Sequence, residues 1–334
     1  MITFFETTDE EKVYFSENLI GKEVEFFEES LDENFNGDLK ETEILSVFIY
    51  SKMTEKLLKK MPKLKFVVTR STGFDHIDTT YCKTNGIVVT NVPSYGENTV
   101  AEHTFALILA LSRKIVTSSE RVRHNGDFSL DGLRGFDLES KTIGIVGMGK
   151  IGSKVAKIAS SFGMRIVAYD LFQNEGLIKK YKIEYLALKE VLAQSDVISL
   201  NLRHTNETHH LINEETIQFI KKGAILVNTA RGGLIDTPVL LTALDNGTLA
   251  GVGLDVLEEE GSVKEDIQLK SRQYTRRNLM VGLANAILVH KQNVIITPHN
   301  AFNSTEAFGR IMETTVKNIL GFVSGEPINL VEVE

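Results

Sequence analysis

The chain has 334 residues, 42% apolar and 25% charged, which are ordinary globular proportions and enough length for two domains. Lys and Arg number 37 against 45 Asp and Glu, a formal charge of −8, so nucleic acid and anionic membrane are poor partners. The single cysteine excludes an internal disulfide and a Cys-only zinc site. No uncharged run approaches the ~18–20 residues of a membrane span, and no signal-like run opens the chain, so a cytoplasmic location is expected.

In chain order, short β-branched runs alternate with helical stretches, the pattern of parallel α/β sheets. Strands are expected over 2–5, 23–27, 44–49, 65–69 and 87–90, with helices over 9–19 and 54–60 between them. A longer helix is expected over 98–114, where Thr99, Glu102 and His103 interrupt an otherwise apolar face, with a continuation over 112–125. A second series supplies six strands, over 142–146, 165–169, 197–200, 224–228, 251–254 and 293–297. Six strands suit a doubly wound nucleotide-binding sheet. A last helix over 305–323 comes after its completion. That order implies a discontinuous first domain, 1–99 plus 300–334, with 100–299 inserted.

Strand 142–146 runs into Gly147-Met148-Gly149-Lys150-Ile151-Gly152 and then a helix. GxGxxG alone is weak, but between strand and helix it has the context of the dinucleotide fingerprint. Gly147 permits the tight turn, Gly149 lets backbone approach a pyrophosphate, and Gly152 allows close packing of helix on strand. The next strand ends in Asp170, a carboxylate able to accept both ribose hydroxyls and to repel a 2′-phosphate, which favours NAD over NADP. Lys150 either adds positive charge at the phosphates or is simply solvated.

Asn228-Thr229-Ala230-Arg231-Gly232-Gly233 puts an arginine just past a strand, where open α/β sheets bind ligands. Its planar fork can grip a carboxylate, or it can make a structural ion pair. Leu254-Asp255-Val256-Leu257-Glu258-Glu259-Glu260 brings another strand end into an acidic run that, by itself, reads as a solvated turn. Thr297-Pro298-His299-Asn300-Ala301-Phe302 places one of the eight histidines at a third strand end. Reducing a carbonyl needs a proton donor, and imidazole titrates in the useful range.

Taken with Arg70-Ser71-Thr72-Gly73-Phe74-Asp75-His76-Ile77-Asp78, Val92-Pro93-Ser94-Tyr95 and Val100-Ala101-Glu102-His103, these motifs run in order along nearly the whole chain. In that series the chain resembles the D-isomer-specific 2-hydroxyacid dehydrogenases, above all the NAD-dependent branch that acts on D-lactate. The resemblance implies a Rossmann-type doubly wound NAD-binding domain and a smaller flavodoxin-like α/β substrate domain. It also implies a homodimer formed through the cofactor domain, with the helix over 100–111 and its continuation as contributors; an apolar face packed wholly within one chain is the alternative. The implied catalytic set is Arg231, Glu260 and His299, with Glu260 holding the imidazole and favouring its acid form. Thr72, Gly73, Tyr95, Arg231 and Phe302 would contact a small 2-oxo or 2-hydroxy acid entering between the domains. Val100, the glycine loop from Gly147 to Gly152, Asp170, Asn201, Thr229, Ala230, Arg231, Asp255 and His299 would face NAD. For Val100 and Phe302, core packing is an equal reading.

The chain departs from many relatives at Leu200-Asn201-Leu202-Arg203, where Arg203 replaces a proline near the adenine end and bears on tolerance of a phosphate. The stretch between Glu260 and His299 is long, and its basic run over 270–277 reads as a solvated loop or helix. The expected activity is reversible reduction of pyruvate to D-lactate by NADH. The alternatives are a related dehydrogenase for glyoxylate, hydroxypyruvate or a branched 2-oxo acid, and a non-catalytic NAD(H)-sensing corepressor.

Overall fold

The computed structural model describes residues 1–258 and 276–331 and divides into two compact units. The first comprises Met1–Gly96 and Asn303–Glu334. Its strands β1 (Ile2–Phe4), β2 (Val24–Phe26), β3 (Ile44–Val47), β4 (Phe66–Thr69) and β5 (Val88–Thr90) pair in parallel in the order β2-β1-β3-β4-β5. This is the flavodoxin order. Side chains alternate across a strand, so one strand feeds two cores. Phe66 and Val68 pack with Phe4, Phe15 and Ile319 beneath α1 (Asp9–Asn18) and the final helix, Thr305–Val323. Val67 faces the other way, toward Leu57, Leu58 and Cys82 of α2 (Glu55–Leu58) and α3 (Thr79–Thr84). Thr8 and Glu11 close a capping box that starts α1.

The second unit, Glu97–Phe302, carries strands β6 (Thr142–Val146), β7 (Arg165–Tyr169), β8 (Glu184–Tyr185), β9 (Val197–Leu200), β10 (Ala224–Asn228), β11 (Leu249–Leu254) and β12 (Val294–Ile296). They form one parallel sheet in the order β12-β11-β10-β9-β6-β7-β8. Strand order reverses direction between β6 and β9, the switch point of a doubly wound fold. The sheet thus has seven strands rather than the six expected. The extra one, β8, has only two residues at the edge, too few to show any periodicity.

Ile143, Ile145 and Ile166 pack on one face against Phe105 and Ile108 of α4 (Glu97–Ser112) and Val155 and Ala159 of α6 (Lys150–Ser161). Val167, Ile198 and Leu226 pack on the other, against Val191 and Leu192 of α8 (Leu188–Gln194), Leu240 of α9 (Thr237–Asp245) and Leu288 of α10 (Arg276–Val289). Helix α7 (Glu175–Tyr181) lies in the β7–β8 connection.

The expected continuation of α4 to residue 125 is a separate helix, α5 (Ile115–Asn125). Phe136 donates its amide to the Ser112 carbonyl, and Lys114 turns left-handed at φ +52°, so the helix breaks there without glycine or proline. The apolar face of α4 is spent inside its own unit, whereas α5 buries none of its residues.

Candidate active site

The glycine loop sits where the strand order reverses. Gly147 has φ +98°, and a Cβ there would lie 2.8 Å from the Asn201 carbonyl carbon. A Cβ on Gly152 would meet the Gly147 carbonyl oxygen at 2.0 Å, so helix α6 can pack this close to β6 only through glycine. Gly149 caps α6 with no side-chain hydrogen bond, and a Cβ added to it would meet nothing within 4 Å. The first-turn amides of Ile151 and Gly152 therefore begin a helix whose positive end is open to an anion. Lys150 is exposed, its Nζ 3.8 Å from Glu97. Met148 is buried, and its amide donates to Asp170 Oδ2 at 2.6 Å while the Phe172 amide donates to Oδ1 at 2.9 Å. Two carboxylate oxygens offer about four acceptor sites, so Asp170 retains capacity for two ribose hydroxyls. Buried beside this loop, Asn201 Oδ1 has no hydrogen-bond partner among the described residues. An orphan acceptor, an open helix end and a carboxylate with acceptor sites to spare together suit a dinucleotide.

Asn228 ends β10 and organises the turn after it. Its Oδ1 accepts the Ala230 amide at 3.0 Å and its Nδ2 donates to the Arg231 carbonyl at 2.8 Å. Thr229 is buried, its hydroxyl 2.9 Å from that of Thr104 on α4, whose hydroxyl also donates to the carbonyl of the buried Val100. Arg231 is half-buried, with Nη1 donating to the Ala230 carbonyl at 2.8 Å.

Asp255 comes directly after β11 and is 1% exposed. Its carboxylate accepts the Thr297 hydroxyl at 2.5 Å, the Asn300 amide at 2.8 Å and the Ala301 amide at 2.9 Å. Its amide donates to the Asn228 carbonyl and its carbonyl accepts the His299 amide, at 3.0 and 2.9 Å. Three adjacent strand ends thereby bring Arg231, Asp255 and His299 to one edge of one sheet. His299 is half-buried and left-handed, at φ +53°.

Glu258 overturns its expected place in a solvated turn. Its side chain is 10% exposed and accepts from the Thr237 amide and hydroxyl, from His210 Nε2 at 2.9 Å and from Arg277 Nη2 at 3.3 Å. Burial pushes its carboxyl up, but the hydrogen bonds of Thr237 and His210 outweigh that and hold it below the usual carboxylate range. Arg277, from the basic run, is likewise no mere solvated charge, since it also pairs with Asp236 at 3.1 Å. Glu259 and Glu260, with the rest of that run over 270–275, lie outside the described residues. Arg203 is exposed, and its carbonyl accepts the Thr208 hydroxyl.

In the first unit, Thr72 is exposed and Gly73 half-buried, just past β4. Thr72 donates its hydroxyl to the Val92 carbonyl and accepts Asn91 Nδ2 at its own carbonyl; Ser71 donates to the Gly73 carbonyl. The loop is anchored by Arg70, fully buried, which donates to Glu11, Ser46 and the carbonyls of Phe5 and Glu6. Tyr95 is half-buried, its carbonyl accepting Arg310 Nε at 2.7 Å. Phe302, half-buried, closes the second unit.

A doubly wound sheet with this glycine loop, joined to a 2-1-3-4-5 unit, is the architecture of a two-domain dinucleotide-binding protein. Residues 105–301 match the family model described as the D-isomer specific 2-hydroxyacid dehydrogenase, NAD binding domain. The chain is 36% identical over 306 residues to 2-hydroxyacid dehydrogenase homolog 1 of Schizosaccharomyces pombe, covering 90% of this chain and 89% of that one. It is 34% identical over 309 residues to the D-lactate dehydrogenase of Escherichia coli, covering 92% and 91%. The crystal structure of the Aquifex aeolicus D-lactate dehydrogenase complexed with NAD and lactic acid superposes with a TM-score of 0.89 at 40% identity, covering 100% of both chains. The chain belongs to the D-isomer-specific 2-hydroxyacid dehydrogenases, and its cofactor is NAD.

Proposed function

We propose that the chain is an NAD-dependent D-lactate dehydrogenase that interconverts pyruvate and D-lactate. The observation that carries this reading is the run of backbone hydrogen bonds from Asn228 through Asp255 to His299, which fixes an arginine and a histidine at the ends of β10 and β12, on either side of β11. NAD supplies the hydride acceptor or, reduced, the donor. Val100, the glycine loop, Asp170, Asn201, Thr229, Ala230 and Asp255 hold it. Arg231, with the amides of Thr72 and Gly73, fixes the substrate carboxylate, and its charge stabilises the developing oxyanion. His299 gives its proton to the carbonyl oxygen during reduction and takes it back during oxidation; Glu260 keeps the ring in its acid form. Tyr95 and Phe302 bound a small apolar side chain. The unit of residues 1–96 and 303–334 serves as the substrate domain and that of residues 97–302 as the cofactor domain.

The enzyme works as a cytoplasmic homodimer through its cofactor domain. Leu279, Met280 and Leu283 of α10, at 53%, 51% and 65% exposed, support that surface, as do Ile115 and Val122 of α5. Light scattering should give twice the 37.3 kDa chain mass.

The test monitors NADH oxidation with pyruvate beside glyoxylate, hydroxypyruvate and a branched 2-oxo acid, then the stereochemistry of the product. Preferred turnover of pyruvate to D-lactate supports the reading. Preference for another acid retains the chemistry and moves the error to Tyr95 and Phe302; tight NADH binding without turnover makes a sensor the better account. His299→Ala should lower kcat by about 10²–10⁴-fold with NADH affinity retained.

A further inference from the structure

We propose that His103 is a positioning residue for His299, acting through Thr297 and Asp255; the proposal rests on the dehydrogenase reading above. His103 lies on α4, far from the site in sequence. Its Nε2 is 3.1 Å from Thr297 Oγ1 and 3.5 Å from Asp255 Oδ1.

Counting hydrogens gives the direction of these bonds. An ionised carboxylate only accepts, and Asp255 already collects the amides of Asn300 and Ala301. Thr297 Oγ1, 2.5 Å from Asp255 Oδ1, therefore gives its one hydrogen to the carboxylate. The hydroxyl oxygen is left only as an acceptor toward His103, so the hydrogen of that contact sits on His103 Nε2. The result is a directed chain: His103 Nε2–H to Thr297 Oγ1–H to Asp255.

The same aspartate hangs the rest of the loop. Residues 297, 300 and 301 bond to its carboxylate, and the His299 amide bonds to its carbonyl. His299 needs such a frame, because a left-handed backbone strains a residue with a Cβ and persists only where its surroundings over-determine it. A buried carboxylate in turn needs donors directed at it. His103 completes the frame from outside the loop by fixing the rotor of the Thr297 hydroxyl. The chain requires only an Nε2 hydrogen, which a neutral imidazole can carry.

The test compares His103→Leu, which removes the donor, with His103→Gln, whose amide nitrogen can stand near the position of Nε2. Both are assayed as full-length protein with pyruvate and NADH, well below their melting temperatures. His103→Leu should lose about ten- to a hundredfold in kcat with NADH affinity unchanged, the scale of a small misplacement of a reacting group. His103→Gln should recover most of it. Thr297→Val should lose a similar factor, and the double variant no more than Thr297→Val alone, since both break one chain. Wild-type kcat in His103→Leu, or a His103→Gln as impaired as His103→Leu, overturns the proposal. If the wild-type protein reduces no 2-oxo acid, the dehydrogenase reading fails separately. Nitrogen-15 spectra of the His103 ring then decide the chain alone, a neutral Nε2–H form supporting it and an Nδ1–H form overturning it.

Discussion

Two loops, one in each unit, succeed parallel strands and are anchored by buried charges of opposite sign. After β4 the anchor is a cation: Arg70 spreads its donors over Glu11 of α1, Ser46 of β3 and the carbonyls of Phe5 and Glu6 past β1. After β12 it is an anion: the Asp255 carboxylate gathers donors from the short loop 297–301, and from His103 through Thr297. The guanidinium ties several elements to one another. The carboxylate, at the end of β11, gathers one short loop. A cation with five donors suits carbonyls arriving from many directions, whereas a carboxylate suits successive amides of one turn. Loss of the first should spread through its unit, and loss of the second should stay local.

Arg70→Met is the severest test of that contrast. It leaves Glu11 buried without its cation and should cost about 3–5 kcal/mol, read by denaturant unfolding of the whole chain. A loss confined to activity, with stability intact, would break the comparison. Asp255→Asn should cost less, about 1–3 kcal/mol, because one carboxylate oxygen becomes an NH2 that faces the amide of either Asn300 or Ala301 and leaves that donor without an acceptor. Its kcat should fall further than its stability does, and protection from hydrogen exchange should drop at residues 299–301 before it drops elsewhere.

The smallest effect concerns Glu258, a largely buried acid whose partners come from several elements. Its carboxyl is held low in the folded protein, so its stabilisation is present above the ordinary carboxyl pKa of about 4.3 and is lost as pH falls through the lower folded value. Glu258→Gln should therefore lie below wild type by a constant gap at neutral pH. Urea midpoints measured on descent below about pH 4.3 should converge.

What the sequence shows is mostly what local pattern can carry. Strands β6, β7, β9 and β10 are readable to the residue because each is a buried apolar run flanked by turn chemistry. The glycine loop is readable because its steric demands fall on consecutive residues. The break at Lys114 is not, because the Phe136 amide that donates to the Ser112 carbonyl arrives from a distant turn. Glu258 reads as solvated because Thr237, His210 and Arg277, which bury it, are scattered along the chain. His103 shows only as a polar interruption on an apolar helix face. Its partner Thr297 lies 194 residues on, and a hydrogen bond between two such residues leaves no periodic trace.

Cys82 gives these comparisons a built-in clock. It is the chain's one cysteine, it is fully buried in the core of the first unit, and burial beside Asp78 pushes its thiol up to about 11. A thiol so placed is almost wholly protonated at neutral pH and shielded from reagents, so it should be indifferent to alkylation and to mild oxidants. Labelling can proceed only when that unit opens. The rate at which a chromogenic disulfide reagent reacts with the native protein is thus a direct reading of how often the Arg70-anchored half of the molecule comes apart.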